Sequence, residues 1–535
     1  MTSIIEPSSI PTCPYISKAD AIHIPSISSM RSQLSLNAFL TSSEKMQIRV
    51  TLSQIRRDLA DLDETLAHLE FIRKRVLDKR ESLQTCYDIQ KGLISPLRTI
   101  PPEIFAEIFA YLKGDLPEQL ENHTAVRAGV ILPTHVCQQW RHFAISTANL
   151  WSDVHIIIPR TEEKQRSEVD CVKTWITRAR DHPLSIDIGC GKFHVMNSDI
   201  WDAILDVVLP SCHKWRYATL ILPPQTDLSR IRNNLPLLET LKFENQVDSS
   251  AQGTRDAFKF APKLNHVYTN VRYGPGSEGR LPWAQLRVFE ADCLVSVRES
   301  LELLRLMPNI ISFSVDLFSD EQDSLTSIGP LLRLSNLEKL TIFDGVGISY
   351  FFDRLELPCL SFFTYSESKF GRPASWVPAL TSLIHRSSCD LKSIRISNAS
   401  IRSGQANLDD LMQATPHLEA LQIAALEPFG SYDCRNVIRS LTMSSKDGST
   451  SYPFPELQTL AMGCGRNFEA QAFVNMIESR WRLATGEPAT HLKSVKLFYA
   501  SEIDVESFRR LRAFMAEGLD IEITNSVGEA LKFLL

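Results

Sequence analysis

The stretch Gly274-Pro275-Gly276-Ser277-Glu278-Gly279 spells, letter by letter, the glycine pattern of a dinucleotide-binding turn. Such a turn works by bringing backbone N–H groups and a helix N-terminus up to a pyrophosphate. Here a proline sits inside the turn and Leu281-Pro282 follows where the helix must open, so the segment reads as a loop. The sequence holds no Gly-Lys-Ser/Thr phosphate loop, no His-Glu-x-x-His zinc helix and no Gly-x-Ser-x-Gly nucleophile elbow. His135 and His142 flank Cys137, the arrangement nearest to a thiol with a base beside it, but a lone cysteine among aromatic residues is better explained by packing. The 11 cysteines lie far apart and none forms a Cys-x-x-Cys pair, which argues against structural zinc. An odd number of scattered cysteines suits reduced thiols acting as small buried hydrophobes in a cytoplasmic or nuclear protein. These residues predict a non-enzymatic chain with no catalytic group, no metal and no cofactor.

With catalysis unsupported, the elements must be read for binding. A length of 535 residues implies two to four structural units, and 44% hydrophobic with 22% charged residues gives enough apolar surface to bury. The formal charge of −6 supplies no global basic field, which speaks against nucleic acid and anionic membrane as partners. No stretch nears the ~20 apolar residues that span a bilayer. Residues 1–43 are rich in Ser, Ile and Pro and lack the basic start and apolar block of a signal peptide, so they predict a disordered leader.

Over residues 44–91 the spacing predicts one long helix. Leu52, Ile55, Leu59, Leu62, Leu66, Leu69, Val76 and Leu83 alternate at three and four, a coiled-coil stripe of about 48 Å at 1.5 Å per residue. Arg73 and Arg80 fill the later slots and weaken the seam there. A narrow apolar stripe has to pair with something. Homodimerisation through residues 52–83 and packing within the chain are both open.

Gly92 then stops the helix, and residues 93–156 carry three apolar blocks. In Leu97-Arg98-Thr99-Ile100-Pro101-Pro102-Glu103-Ile104-Phe105-Ala106-Glu107-Ile108-Phe109-Ala110-Tyr111-Leu112, a proline opens a helix and Ile104, Phe105, Ile108, Phe109 and Leu112 share a face. After a polar stretch, Lys113 to Ala128, comes Val136-Cys137-Gln138-Gln139-Trp140-Arg141-His142-Phe143-Ala144, with Val136, Trp140, Phe143 and Ala144 on one side. Asn149-Leu150-Trp151-Ser152-Asp153-Val154 closes the segment. The order of the three blocks resembles the F-box motif, and with Leu93-Ile94-Ser95-Pro96-Leu97-Arg98 and the heptad helix before it, it resembles fungal F-box-like proteins. Ile100 stands where the family usually has leucine, and Ala148 where a proline commonly precedes the Leu-Trp pair. The resemblance implies a small all-α module that docks on the Skp linker subunit of a cullin–RING ubiquitin ligase. It implies contacts from Leu97, Ile100, Pro101, Ile104, Ile108 and Leu112 in the first block and from Val136, Cys137 and Trp140 in the second. Trp151 is better read as internal packing.

From residue 157 to residue 535 the chain repeats Leu-x-x-apolar-x-apolar, starting at Trp215, Leu238, Leu264, Leu286, Ile310, Leu337, Leu360, Leu391, Leu418, Leu457 and Leu492. The first eight intervals lie close to the 20–29-residue leucine-rich-repeat period, and the last two leave room for insertions. Each unit predicts one short strand with helical stretches between strands. The fold class expected is therefore α/β: a coiled-coil helix, a helical module, and a leucine-rich-repeat-like solenoid with a curved parallel sheet, a horseshoe. Such arrays bind through outward residues of successive strands, here Lys242, Glu338, Lys339, Thr341, Lys392, Arg395, Glu419, Gln422 and Lys493. No charge sign dominates that set, and the protein substrate it would select is not named by the sequence. The function expected is a substrate-recognition adaptor of a ubiquitin ligase. A ligase-independent interaction scaffold keeps the array and drops the ligase, and an undetected hydrolase or transferase would require polar groups converging in a pocket.

Overall fold

The computed structural model describes residues 14–24, 31, 39–112, 127, 129–157, 162–189, 198–222, 226–245, 256–273, 280–318, 330–343, 347–366, 376–397, 405–424, 434–446, 449–463, 468–483, 488–498 and 503–524. The glycine-rich segment 274–279, nearly all of 113–128 and most of the leader lie outside them. The chain forms two compact units, residues 1–104 and 105–535. Among the described residues no helix is long and apolar enough to cross a membrane.

In the first unit, a short helix Pro14–Asp20 precedes a 52-residue helix, Ser42–Leu93, which extends the predicted span by two residues at each end. Its start is fixed by a capping box. The Glu44 N–H donates to Thr41 Oγ1 at 3.4 Å, and the Glu44 carboxylate accepts from the Thr41 N–H at 2.8 Å. The hydrogen bonds that the Thr41 N–H and the Thr41 hydroxyl donate to it hold the Glu44 carboxyl below its usual pKa. The helix is about 78 Å long.

The helix Pro102–Tyr111 spans the boundary of the two units, with proline at its first position where a missing N–H costs nothing. In the second unit Phe105 and Phe109 are buried, and both pack on Trp140 of the helix Gln138–Ser146 at centroid distances of 5.1 and 5.3 Å. Gly129 is required where the chain returns: a Cβ there would lie 2.6 Å from the Leu112 carbonyl oxygen.

Among the described residues fourteen strands follow in one parallel sheet, each hydrogen-bonded to the ones before and after it in this series, and two smaller two-stranded pairings lie in the connections. They are β1 (Asp153–Ile157), β2 (Leu184–Gly189), β3 (Trp215–Leu222), β4 (Thr240–Asn245), β5 (His266–Thr269), β6 (Val288–Ser296), β7 (Ser312–Phe318), β8 (Lys339–Phe343), β9 (Phe362–Ser366), β10 (Ser393–Ser397), β11 (Ala420–Ala424), β12 (Thr459–Gly463), β13 (Ser494–Phe498) and β14 (Asp520–Ile523). Most connections carry helices, and many of these helices pack on one another in the same sequential order. Burial alternates residue by residue along strands such as β7 and β10, so one side of the sheet is sealed and the other reaches solvent. Parallel sheets covered on both faces show unbroken apolar runs instead. The molecule is thus mixed α/β, with a long N-terminal helix and a long parallel sheet.

All eleven repeat-opening residues are sealed, none more than 1% exposed. From Leu238 onwards each precedes its strand by two positions. The residue just after the opening leucine uses its carbonyl twice: Glu338 O accepts from Ser361 N–H at 3.0 Å and Phe362 N–H at 2.9 Å, and Lys392 O accepts from Glu419 and Ala420 at 2.9 and 3.0 Å. The same forked acceptor recurs at Glu239, Asn265, Arg287, Ile311, Ser361, Glu419 and Gln458.

Candidate functional site

Two surfaces carry the residues singled out by the sequence. The first unit holds Leu97, Ile100, Pro101 and Ile104. Leu97 follows Pro96 in the 3-10 turn Pro96–Thr99 and is exposed, as are Pro101 and Ile104, while Ile100 is half-buried. In the second unit Ile108, Leu112 and Val136 are exposed at 42, 37 and 56%. Cys137 is exposed and caps its helix, its Sγ accepting the Trp140 N–H at 3.4 Å. Trp140 is half-buried and turns its ring towards Phe105 and Phe109, so it serves the module's own core as much as its surface. Sequence reasoning passed over Tyr111 and Leu132, which are 89 and 60% exposed; the signal for Leu132 was a large apolar residue placed directly before Pro133.

Trp151 is sealed. Its indole N–H donates to the Ala144 carbonyl at 2.8 Å, its ring meets Trp175 edge-on, and the Arg178 guanidinium lies 4.4 Å from its centroid. Nearby, Arg127 donates to Glu168 and to the His155 carbonyl at the edge strand β1. Burial there pulls the Arg127 pKa down, but its hydrogen bond to and attraction by Glu168 outweigh that, and the net shift is upward.

On the sheet, register aligns one residue of every strand: His155, Asp187, Thr219, Lys242, Tyr268, Glu290, Ser314, Thr341, Thr364, Arg395, Gln422, Ala461, Lys496 and Glu522. Four of the predicted recognition residues, Lys242, Thr341, Arg395 and Gln422, fall in this row. Lys339 begins the row two residues earlier, Glu338, Lys392 and Glu419 occupy the forked-carbonyl position ahead of the strands, and Lys493 stands at the equivalent place with its carbonyl accepting the Asp520 N–H at 3.2 Å. All nine are exposed or half-buried. The row members Tyr268, Glu290, Thr364 and Lys496 were missed, although each stands at the same place in its repeat as Arg395 does.

The electrostatics of this surface are local and paired. Lys242 bridges Glu244 at 3.1 Å and lies 4.6 Å from the Tyr268 ring centroid. Burial and the hydrogen bond to Asp292 push the Tyr268 phenol far up. Lys392 bridges Asp390 at 3.2 Å and Glu419 at 3.3 Å, and Lys339 lies over Phe362. At the β1 end His155 Nδ1 and Asp187 Oδ2 are 3.2 Å apart and buried. Among the described residues no three His, Cys, Asp or Glu side chains converge as a metal-ligand set. Burial pushes the thiols of Cys293 and Cys389 up to about 11, which keeps them protonated and poor nucleophiles at neutral pH. What the arrangement offers chemically is an outward lattice of hydroxyl, amide, aromatic and charged groups at strand spacing.

No protein-family model matches the chain, and no curated protein matches it. Among solved structures it is similar to a protein from Bacteroides fragilis, at 13% identity over 63% of this chain and 85% of that one, with a TM-score of 0.30. A likeness that slight carries no argument about fold or activity.

Proposed function

We propose that the chain is a substrate-recognition adaptor of an SCF-type cullin–RING ubiquitin ligase, working in the cytoplasm or nucleus. In this reading residues 93–156 act as the F-box, docking on the Skp linker subunit, and the sheet is a leucine-rich-repeat-like solenoid, a horseshoe whose open side binds a protein substrate. The observation that carries it is in the helical module. Phe105, Phe109 and Trp140 already supply its core, yet Ile108, Leu112 and Val136 stay in solvent. Large apolar side chains left in solvent by a module whose core is already filled are the kind a protein contact covers. Docking and selection need no catalytic group, and the row from Lys242 to Lys496, broken by the buried Ala461, suits selection because its other members are polar, varied, part-exposed and held in register.

The test is co-purification of the intact chain with the Skp subunit. Wild type is captured, and Ile108→Asp or Ile104→Asp abolishes capture while the circular dichroism spectrum stays unchanged. Failure of the intact, folded chain to capture Skp retires the ligase reading and leaves a scaffold that uses the sheet alone.

A further inference from the structure

The long helix of the first unit presents a charge pattern that the ligase reading leaves unused. Leu52, Leu59 and Leu66 are 51, 55 and 58% exposed along one line of its heptad seam. Beside that line, the residues that follow Ile48, Ile55, Leu62 and Leu69 are Arg49, Arg56, Asp63 and Glu70, two positive and then two negative, all exposed. Among the described residues none of these four is in an ion pair. On the opposite flank Thr65 is only 8% exposed, and Ile55, Leu62 and Leu69 are half-buried. The open side of the seam is therefore the leucine line with the four charges.

We infer that this face pairs with the same face of a second copy of the chain, antiparallel, about a two-fold axis at Ala60, so that the apolar layers set Leu52 against Leu69, Ile55 against Leu66 and Leu59 against Leu62 of the other copy. In that arrangement Arg56 faces Asp63 of the other copy and Arg49 faces its Glu70, and symmetry makes four such contacts. Between Leu52 and Leu69 the seam meets only leucine and isoleucine, and Arg73 and Arg80 fall at or beyond the end of the paired stretch. A parallel pair does the reverse. It stacks Arg73 on Arg73 and Arg80 on Arg80 in the apolar layers, and of its charged flanking pairs, which meet five apart in parallel coiled coils, Asp58 against Asp63 repels while Glu44, which would attract Arg49, is engaged by the Thr41 cap. Like charges there cost stability and choose the partner's direction. The inference does not depend on the chain being a ligase adaptor.

Sedimentation equilibrium of the full chain tests it, with helicity checked by circular dichroism. The wild type is a dimer. Arg56→Glu and Asp63→Arg each raise the dimer Kd roughly ten-fold, because each replaces two attractions by two repulsions of exposed charges. The double variant returns the Kd to within about three-fold of wild type by exchanging the charges. Tighter association of Asp63→Arg, absence of rescue in the double variant, or a wild-type chain that stays monomeric throughout its soluble range each overturns the inference.

Discussion

Arg480 is fully buried, and its guanidinium donates to three backbone carbonyls among the described residues: Nε to Leu441 at 2.8 Å, with the terminal nitrogens on Pro453 and Phe454. Burial pushes its pKa down to about 10, so it is still a cation at neutral pH and sheds its desolvation cost only when the pH rises past that value. Arg386 repeats the device three connections earlier, donating to Phe352 and Leu355. Adjacent serines complete it, Ser387 accepting the Leu357 N–H and Ser479 the Met443 N–H. In both places an arginine near a helix C-terminus satisfies carbonyls of the preceding segment that no strand reaches. Arg480→Ala is expected to lower stability by about 3 kcal/mol, since it strands several buried acceptors and opens a void. The chemical-denaturation midpoint measures the loss, and Arg480→Lys recovers only part because an ammonium lacks the planar fork.

At the level of elements, the opening leucines announced eleven of the fourteen strands, because a leucine three residues before the next inward side chain leaves a local signature. The other three lack it. In β1 the interval from Leu150 to Val154 is four, and Leu150-Trp151 belongs to a 3-10 turn of the helical module. In β2 and β14 the alternation Leu184-Ser185-Ile186 and Leu519-Asp520-Ile521 begins at once, without the leading leucine. The helices of the module were legible from their periodicity, but the inward turn of Trp140 was not, because a helical face does not say whether its partner belongs to the same chain. Nor was Gly129, whose need is set by the Leu112 carbonyl across a long insertion. Gly129→Ala is expected to cost about 1–3 kcal/mol through that overlap. A melting curve checks it, and Skp capture should fall in parallel if the module docks as proposed.

For the whole molecule, the row that joins Lys242 to Lys496 is where stability and the proposed recognition can be tested apart. Its side chains point away from the sealed leucines, so Arg395→Glu with Gln422→Lys should move stability by no more than about 0.5 kcal/mol. Affinity capture with quantitative mass spectrometry should show partners of the sheet lost while Skp is retained, and a pair of substitutions that leaves the captured set unchanged would remove this row from the recognition surface. The row was visible in the sequence only as a list of positions. Register alone makes neighbours of residues some 25 positions apart, and register is a property of the backbone ladder that a list of side chains does not show.

Because every strand of this sheet bonds only to the strands next to it in sequence, a parallel sheet that would ordinarily fold slowly is assembled from short-range closures. The chain can add strands in the order in which the ribosome delivers them, each new one templated on an edge already in place. An interrupted synthesis would then leave a shorter ordered protein in place of a collapsed one.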